Sequence, residues 1–315
     1  MKKLFYSFLA VSMMAFGFAA CNDDNGGEGG EGGKDGAKIS ESDLYGNWMS
    51  DTIVVSAANI DEEKYEMYDK SPVIVTITKD KHVILYGSDT LGVWSLKKGV
   101  ITVNGTTSVY DPEARDYKEE PVEVEITVVS YGKDKGVITI KNAEQYVYNK
   151  VTKKEETLLA DETVYFSRLR EPKGDDLAIN KTNVTGTWKL LYSKYESTEN
   201  GRKYSDMYPA HESVTLTINS DGTFVSARYY GRGGADDNSH VEEGVWSLKQ
   251  NKILLYYGEK MTPDQLNTLP DEYWENARTI SRLTSDFLVL SSRYEWTDGQ
   301  DSGYSEDEQY YVRAN

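Results

Sequence analysis

The chain of 315 residues carries 35 basic and 52 acidic side chains, three histidines and one cysteine, which gives a formal net charge of −17. This length accommodates two ordinary domains and a tail. The acidic balance argues against a nucleic-acid partner, because phosphate binding needs clustered lysine and arginine. A single cysteine excludes an internal disulfide and any zinc or iron–sulfur site built on cysteines. The low mean hydropathy, with 24 tyrosines and few prolines, indicates β structure rather than disorder.

The first twenty residues have the pattern of an export signal. Lys2 and Lys3 precede an apolar run from Leu4 to Phe18, which small polar residues interrupt and which is short for a membrane span. We therefore interpret residues 1–20 as a signal peptide. Residues 21–38 are rich in glycine and acidic side chains, a composition that predicts a flexible linker.

The segment Phe18-Ala19-Ala20-Cys21 resembles the lipobox of bacterial lipoproteins. The resemblance implies that Cys21 is diacylated and becomes the new N-terminus, so that the membrane is a partner through the lipid anchor. The acidic residues just after the cysteine resemble export signals of lipoproteins that reach the outer cell surface. We therefore expect an exported protein anchored in the bacterial outer membrane and exposed at the cell surface. The alternative is an ordinary secretory signal with a chance cysteine.

The rest of the chain is an internal repeat. The pentapeptide Gly-Val-Trp-Ser-Leu at 92–96 recurs unchanged at 244–248, and other matches follow in the same order along both copies. This order predicts a duplicated domain, with one copy over 39–171 and the other over 178–315. The polar segment between them contains both proline and glycine, as linkers commonly do.

Each copy is predicted as roughly eight short antiparallel strands. Apolar and polar residues alternate in short runs that turn signals separate, for example at 73–77 and 82–86. One short helix is predicted at 262–266, where Thr262 precedes a proline. The fold class is therefore predicted as all-β, with two tandem small antiparallel β-barrels.

A Gly-x-Trp on the first strand and an arginine on the last strand resemble the lipocalin, or calycin, pattern. Bacterial lipoproteins with lipocalin-like domains are similar over about residues 39–315. The resemblance implies that each tryptophan plugs the closed end of a barrel while the arginine lies across its ring. Applied to this sequence, the resemblance pairs Trp48 with Arg168 and Trp188 with Arg313.

Candidate ligand contacts lie in the long connections between strands. In a lipocalin-like barrel, the connections at 56–71 and 195–212 lie over the open mouth, and those at 105–121 and 258–277 complete the rim. Their amphipathic and polarizable side chains suit soft ligand contacts; the alternative is that they pack the loops onto the barrels. The candidate rim residues are Met67, Tyr68, Met207, Tyr208, Tyr273 and Trp274.

The sequence contains no recognisable catalytic constellation. His82, His211 and His240 lack metal-ligand spacing, and no serine lies in a nucleophile elbow. The acidic pairs are explained as solvated loops, although a carboxylate pair for glycoside hydrolysis and a calcium site remain open. We therefore expect no enzymatic activity, no metal and no cofactor.

Three hypotheses for the function follow. The first is a non-enzymatic, monomeric, lipid-anchored protein whose barrels bind a small apolar or amphipathic molecule or a glycan. The second is a cell-surface structural or protein-interaction module whose barrels are filled with side chains, and the third is a glycoside-processing enzyme. The volume and the lining of each barrel distinguish the first from the second.

We predict that Cys21→Ala abolishes lipidation, because no other thiol is present to form the thioether. The variant is expected to stay unprocessed and to leave the membrane fraction, as measured by fractionation and intact mass. Globomycin is expected to block processing of the unmodified precursor. Processing that is insensitive to globomycin contradicts the lipid anchor and favours an ordinary secretory signal.

Overall fold

The computed structural model describes residues 39–56, 60–61, 63–67, 72–87, 89–111, 116–199, 201–210, 213–229, 239–257, 261–275, 277–298 and 301–314. Cys21 therefore lies outside the described residues. The chain divides into two compact units, with the boundary between Leu169 and Arg170. Within the ranges just given, no helix combines the length and the hydropathy that spanning a bilayer requires.

The first unit is almost entirely β. One helical turn, α1 (Glu41–Leu44), precedes the strands, and the Asp43 carboxylate accepts a hydrogen bond from the Ser40 N–H at 2.9 Å, which caps the turn. The strands that follow are β1 (Gly46–Val55), β2 (Tyr65–Met67), β3 (Ile74–Ile77), β4 (His82–Leu85), β5 (Asp89–Lys97), β6 (Val100–Asp111), β7 (Asp116–Tyr131), β8 (Lys135–Asn149) and β9 (Lys154–Arg168).

Eight of these strands close into an antiparallel barrel. β1 pairs with β3 on one side and with β9 on the other, and the β8–β9 pairing completes the ring in the order β1-β3-β4-β5-β6-β7-β8-β9. β2 lies outside this ring and pairs with the far end of β8. Closure gives every strand of the ring two neighbours, so no edge of the ring is left free.

The second unit repeats this plan. The β10–β12 and β10–β18 pairings close the ring β10-β12-β13-β14-β15-β16-β17-β18, and β11 pairs with the far end of β10. The structure thus shows two closed eight-stranded antiparallel barrels in tandem, which confirms the predicted fold class. The elements are α2 (Lys181–Val184), β10 (Gly186–Glu199), β11 (Arg202–Pro209), β12 (Ser213–Ile218), β13 (Thr223–Tyr229), β14 (Ser239–Lys249), β15 (Lys252–Tyr257), α3 (Pro263–Asn267), α4 (Asp271–Glu275), β16 (Arg278–Leu283), β17 (Phe287–Asp298) and β18 (Asp301–Arg313).

The two barrels share their strand register. Trp48 lies opposite Arg168 across the closing pair of strands, and Trp188 lies opposite Arg313. An irregularity in the register follows each tryptophan at the same position along the strand. Residues of the two barrels can therefore be matched through their hydrogen-bonded partners.

Two segments that the sequence predicts as connections are strands instead. β6 pairs along its whole length with β7, so residues 105–111 and 116–121 belong to a long hairpin. A β-carbon on Gly105 would overlap the carbonyl oxygen of Leu91, so the glycine permits close strand packing. In the second copy, β10 and β11 form a hairpin over most of the predicted mouth connection at 195–212.

A glycine precedes each closing tryptophan for a steric reason. Gly46 has a φ of +118° and Gly186 a φ of +143°, which are rare for residues with side chains. A β-carbon on Gly46 would lie 2.9 Å from Nη1 of Arg168, and one on Gly186 would overlap Nη1 of Arg313. Glycine therefore leaves room for the guanidinium beside the backbone.

We predict that Gly186→Ala lowers the free energy of unfolding by about 2–3 kcal/mol, because it combines an unfavourable φ with a clash against Arg313. Gly201→Ala is the matched control, since Gly201 has a φ of +78° but no atom within 4 Å of the added β-carbon. The control is expected to lose about 1 kcal/mol. Urea denaturation followed by tryptophan fluorescence measures both variants, and equal losses contradict the steric argument.

Candidate ligand-binding site

The interior of the first barrel contains a cavity of about 120 Å³. All eight strands of the ring contribute to its wall, because alternate residues of a barrel strand point inward. The side chains are apolar apart from one serine and the two aromatic residues of the closed end. The lining residues are Leu44, Trp48, Val75, Ile77, Val83, Leu85, Leu91, Ile101, Val103, Val124, Ile126, Val128, Ser130, Tyr131, Gly136, Ile138, Ile140 and Phe166.

Trp48 forms the floor of this cavity, meaning the closed end of the barrel. Its indole Nε1 donates to the carbonyl of Leu44 at 2.7 Å, so its polar atom is satisfied within the floor. The guanidinium carbon of Arg168 lies 4.3 Å from the ring centroid. Arg168 also donates from Nη1 to the carbonyl of Tyr45 and from Nη2 to that of Asp43, both at 2.7 Å. The structure therefore places the predicted partners in contact.

The floor of the second barrel has the same construction. The indole of Trp188 donates to the carbonyl of Val184 at 2.9 Å, and the guanidinium carbon of Arg313 lies 4.1 Å from its ring centroid. Arg313 donates to the carbonyls of Thr185 and Asn183, each at 3.2 Å. An arginine over a partly desolvated indole contributes about 0.5–2 kcal/mol, to which these hydrogen bonds add.

Tyr131 belongs to the first floor, although the sequence does not single it out. Its hydroxyl donates to the carbonyl of Asp43 at 2.6 Å, and its ring meets Trp48 edge-on with centroids 6.0 Å apart. The polar atoms of both aromatic residues are thus bonded to backbone carbonyls of the α1 turn and its C-terminal end. The atoms of the floor that face the cavity are carbon atoms, which favours an apolar ligand.

Two positions that face the cavity carry smaller residues in the first barrel than in the second. Val83 and Phe224 have the same place in the register, each opposite the glycine of the repeated pentapeptide. Gly136 and Leu288 are likewise equivalent, each opposite the aromatic residue two positions before the closing arginine. Phe224 and Leu288 are fully buried in the second barrel. At these two positions the first barrel lacks an aromatic ring and an isobutyl group, whereas its Tyr131 and Leu85 are larger than the equivalent Leu283 and Ser226.

The interior of the second barrel is occupied by its own side chains. Trp188, Phe224 and Trp246 are at most 1% exposed and belong to a single core cluster. Trp48 and Trp94 occupy the positions of the two tryptophans in the first barrel, whereas the ring of Phe224 has no aromatic equivalent there. The two barrels therefore share a scaffold but differ in their contents.

The first barrel becomes polar beyond the cavity, on the side away from Trp48. Gln145 and Glu162 are both fully buried, and Gln145 Nε2 donates to Glu162 Oε1 at 2.8 Å and to the carbonyl of Ala143 at 3.2 Å. Gln145 Oε1 is buried without a hydrogen-bond partner among the residues that the structure describes. Neither side chain was predicted from the sequence, because isolated polar residues in strands give no signal for burial.

The second barrel has a carboxylate, that of Asp307, at the position in the strand register that Glu162 has in the first. Asp307 Oδ2 lies 3.9 Å from Nη1 of Arg278. Burial raises the pKa of Asp307, and the positive charge of Arg278 opposes this effect. Burial also raises the pKa of Tyr257 and raises that of Tyr311 to about 12. These groups form a partly desolvated polar layer between the filled core and the mouth.

The predicted rim residues of the β2 and β11 segments are only partly described. Met67 lies in β2 opposite Val147 and is half-buried, while Tyr68 lies outside the described residues. Met207 is half-buried on β11, and Tyr208 is exposed, with its hydroxyl donating to Asp206 Oδ2 at 2.9 Å.

Tyr273 and Trp274 do not lie at the mouth, so this part of the predicted rim is wrong. Both residues belong to α4, where Tyr273 is exposed and Trp274 is buried. The carbonyl of Trp274 accepts from Lys252 Nζ at 3.1 Å, and Lys252 follows the turn between β14 and β15. That turn is at the floor end, because Trp246, just before it, donates its indole N–H to the turn that follows β12. The helix packs beside the barrel and buries its tryptophan there.

His82 and His240 lie beside different acidic residues and do not share a site. His82 lies 3.3 Å from Asp80 and His240 lies 3.2 Å from Glu242, whereas His211 is outside the described ranges. In the part of the chain that the structure describes, no three His, Cys, Asp or Glu side chains are grouped so that they could hold a metal ion.

Residues 184–290 match the family model of the lipocalin-like domain. No curated protein shows significant sequence similarity to the chain. Among solved structures, a protein with unknown function from the DUF3598 family of Nostoc punctiforme is similar at 8% sequence identity, with 88% of this chain and 100% of that chain covered and a TM-score of 0.21. The family match runs from the end of α2 into β17. Residues 184–290 of the second barrel are therefore similar to the lipocalin-like domain family.

Proposed function

We propose that the chain is an exported, lipid-anchored binding protein whose first barrel holds a small apolar molecule. The observation that carries this proposal is the cavity of about 120 Å³ with a carbon surface above Trp48. The lipobox-like segment at Cys21 supports anchoring in the bacterial outer membrane, and the acidic residues just after it favour the cell surface over the periplasmic side. The proposed role is binding without catalysis, by a monomer.

The cavity volume defines the size of the ligand. An engineered cavity of about 150 Å³ in another protein binds benzene, so this somewhat smaller cavity takes a single small ring or a short branched chain of about six carbon atoms. Long acyl chains are too large for it. A glycan is disfavoured as well, because its hydroxyl groups would lose water without gaining partners in an apolar wall.

The cost of the cavity supports a functional role for it. At about 24 cal/mol for each Å³, an empty space of this volume costs about 3 kcal/mol, which is a large share of the roughly 5–15 kcal/mol that stabilises a typical domain. The second barrel demonstrates that the same scaffold accommodates larger residues, since Phe224 and Leu288 are fully buried there. Ligand binding to the folded state offsets this loss of stability.

The filled interior of the second barrel favours a structural or protein-interaction role for that unit. Beyond the barrel ring, Tyr204 and Tyr294 are 49% and 68% exposed. They lie in one row across four strands, separated by Ser197 and Ser305. Such a row presents aromatic rings on a flat surface, as interaction surfaces commonly do.

We predict that Val83→Phe abolishes binding to the first barrel, because the added ring occupies the cavity as Phe224 does in the second. Toluene affinity, measured by calorimetry or by methyl chemical shifts of the lining residues, is expected to fall more than tenfold while the protein stays folded. Val93→Phe is the matched control, since Val93 lies on the neighbouring strand and is 50% exposed. Toluene binding that survives Val83→Phe, or that is absent from the unmodified chain, contradicts the proposal.

The reciprocal change, Phe224→Val, is expected to destabilise the second unit by about 2–4 kcal/mol, because it opens a cavity in a filled core. Urea denaturation measures the loss. A loss of less than about 1 kcal/mol in the free energy of unfolding indicates that the neighbouring side chains collapse into the space left by the ring. That result contradicts the explanation of the cavity by residue size.

A further inference from the structure

We infer that the open end of the second barrel, away from Trp188, binds a neutral saccharide, with Tyr195 stacking on a sugar ring and Asp307 accepting from its hydroxyl groups. The site is a polar cup above the filled core. Its walls are formed by Arg228, Glu242, Tyr257, Arg278 and Asp307. The inference goes beyond the proposed function, which assigns no small-molecule ligand to the second unit.

The strand register places the side chains of the cup inside the barrel. Asp307 precedes the buried core residue Tyr311 by four positions on β18, so both side chains point inward. Arg228 follows the buried Phe224 by four positions on β13 and points inward for the same reason. The ring of Tyr257 meets that of Phe224 edge-on, with centroids 5.0 Å apart. The filled core is therefore the base of the cup.

The charged groups of the cup lie close together and are accessible. The side chains of Arg278 and Asp307, which are 3.9 Å apart at their nearest polar atoms, are 34% and 36% exposed, and Arg228 is exposed. Burial raises the pKa of Tyr257 and that of Tyr311. The positive charges of Arg278 and Arg228 oppose this increase at both tyrosines. Both arginines therefore lie near both hydroxyls, in one partly desolvated space.

Tyr195 provides an aromatic surface beside these groups. It lies directly opposite Asp307 across the β10–β18 pair and is 37% exposed. Residues that face each other in this way have β-carbons about 4.5–5.5 Å apart on the same side of the sheet. The face of an aromatic ring is negative and apolar, so it complements the C–H groups on one face of a sugar ring. A sugar stacked on Tyr195 therefore has the hydroxyls of its edge within reach of the carboxylate.

The mixture of charges in the cup selects against simpler ligands. An anion is repelled by Asp307 and Glu242, and a cation is repelled by Arg228 and Arg278. An apolar molecule would desolvate these groups without bonding them. A sugar hydroxyl both donates and accepts, so it can bond carboxylates and guanidinium groups alike. A zwitterion is the remaining alternative, but it does not use the aromatic surface of Tyr195 as an uncharged sugar ring does.

The first barrel differs at the corresponding positions. Ile126 is equivalent to Arg278, because each lies opposite an isoleucine of the preceding strand, and it lines the apolar cavity. Glu162 is equivalent to Asp307 but is fully buried. A carboxylate that a ligand can reach at this position is therefore a property of the second barrel, where we expect the saccharide to bind.

Titration calorimetry on the full chain tests the inference with four neutral trisaccharides: maltotriose, cellotriose, mannotriose and N-acetylchitotriose. At least one is expected to bind with a dissociation constant below about 1 mM. Tyr195→Ala and Asp307→Asn are each expected to weaken that binding about tenfold, through the loss of stacking and of a charged acceptor. Tyr273→Ala is the matched control, since Tyr273 is 46% exposed on α4, beside the barrel, and is expected to leave the affinity unchanged.

The outcomes are independent of the ligand proposed for the first barrel, because Val83→Phe is expected to leave saccharide binding unchanged. The inference is overturned if none of the four trisaccharides binds, or if the zwitterion phosphocholine binds in their place. Binding that survives both Tyr195→Ala and Asp307→Asn lies elsewhere and overturns it as well. Urea denaturation shows whether each variant is folded. If Asp307→Asn is not, Tyr195→Ala decides, because that side chain is partly exposed.

Discussion

The contact between an arginine and a tryptophan at each floor is the constraint on which the barrels depend. It joins the first strand of the ring to the last, and in the first barrel it requires Gly46, whose missing β-carbon admits the guanidinium of Arg168. The guanidinium also donates to the backbone carbonyls of Asp43 and Tyr45, at the end of the preceding helical turn. The arginine side chain therefore bridges the first and last strands of the ring, covers the indole and holds the N-terminal turn in place. The second barrel repeats each of these features.

Once the ends are fixed in this way, the interior of each barrel can change without changing the fold. The positions of Val83 and Gly136 point into the space above the floor, and their equivalents Phe224 and Leu288 fill it. A cavity of this size costs about 3 kcal/mol, which is a large share of the stability of a typical domain. The fold therefore does not determine whether a barrel contains a cavity, because that depends on its inward-facing side chains.

The sequence predicts what depends on local pattern and on repetition. The strands and the duplication can be deduced because alternation and repeated motifs are visible without a structure, whereas the two Trp–Arg pairs are implied only by the resemblance to the lipocalin pattern. The cavity is not visible, because Gly136 matters only through its match to Leu288, and that match needs the strand register. The long β6–β7 hairpin also escapes prediction, since its length depends on cross-strand hydrogen bonds. Trp274 misleads because an aromatic residue in a long connection suits a rim and a packed helix equally well.

The layer above the cavity indicates how the two interiors diverged. A carboxylate inside a barrel needs donors, because desolvation penalises its charge. In the second barrel Arg278 approaches Asp307, and the pair sits over a filled core. In the first barrel Glu162 is the acid at the equivalent position. The residue equivalent to the arginine is Ile126, which lines the cavity. Isoleucine is shorter than the arginine, so this exchange adds to the space that Val83 and Gly136 leave in the first barrel. The interiors therefore differ both in the size of their side chains and in the charge that they contain.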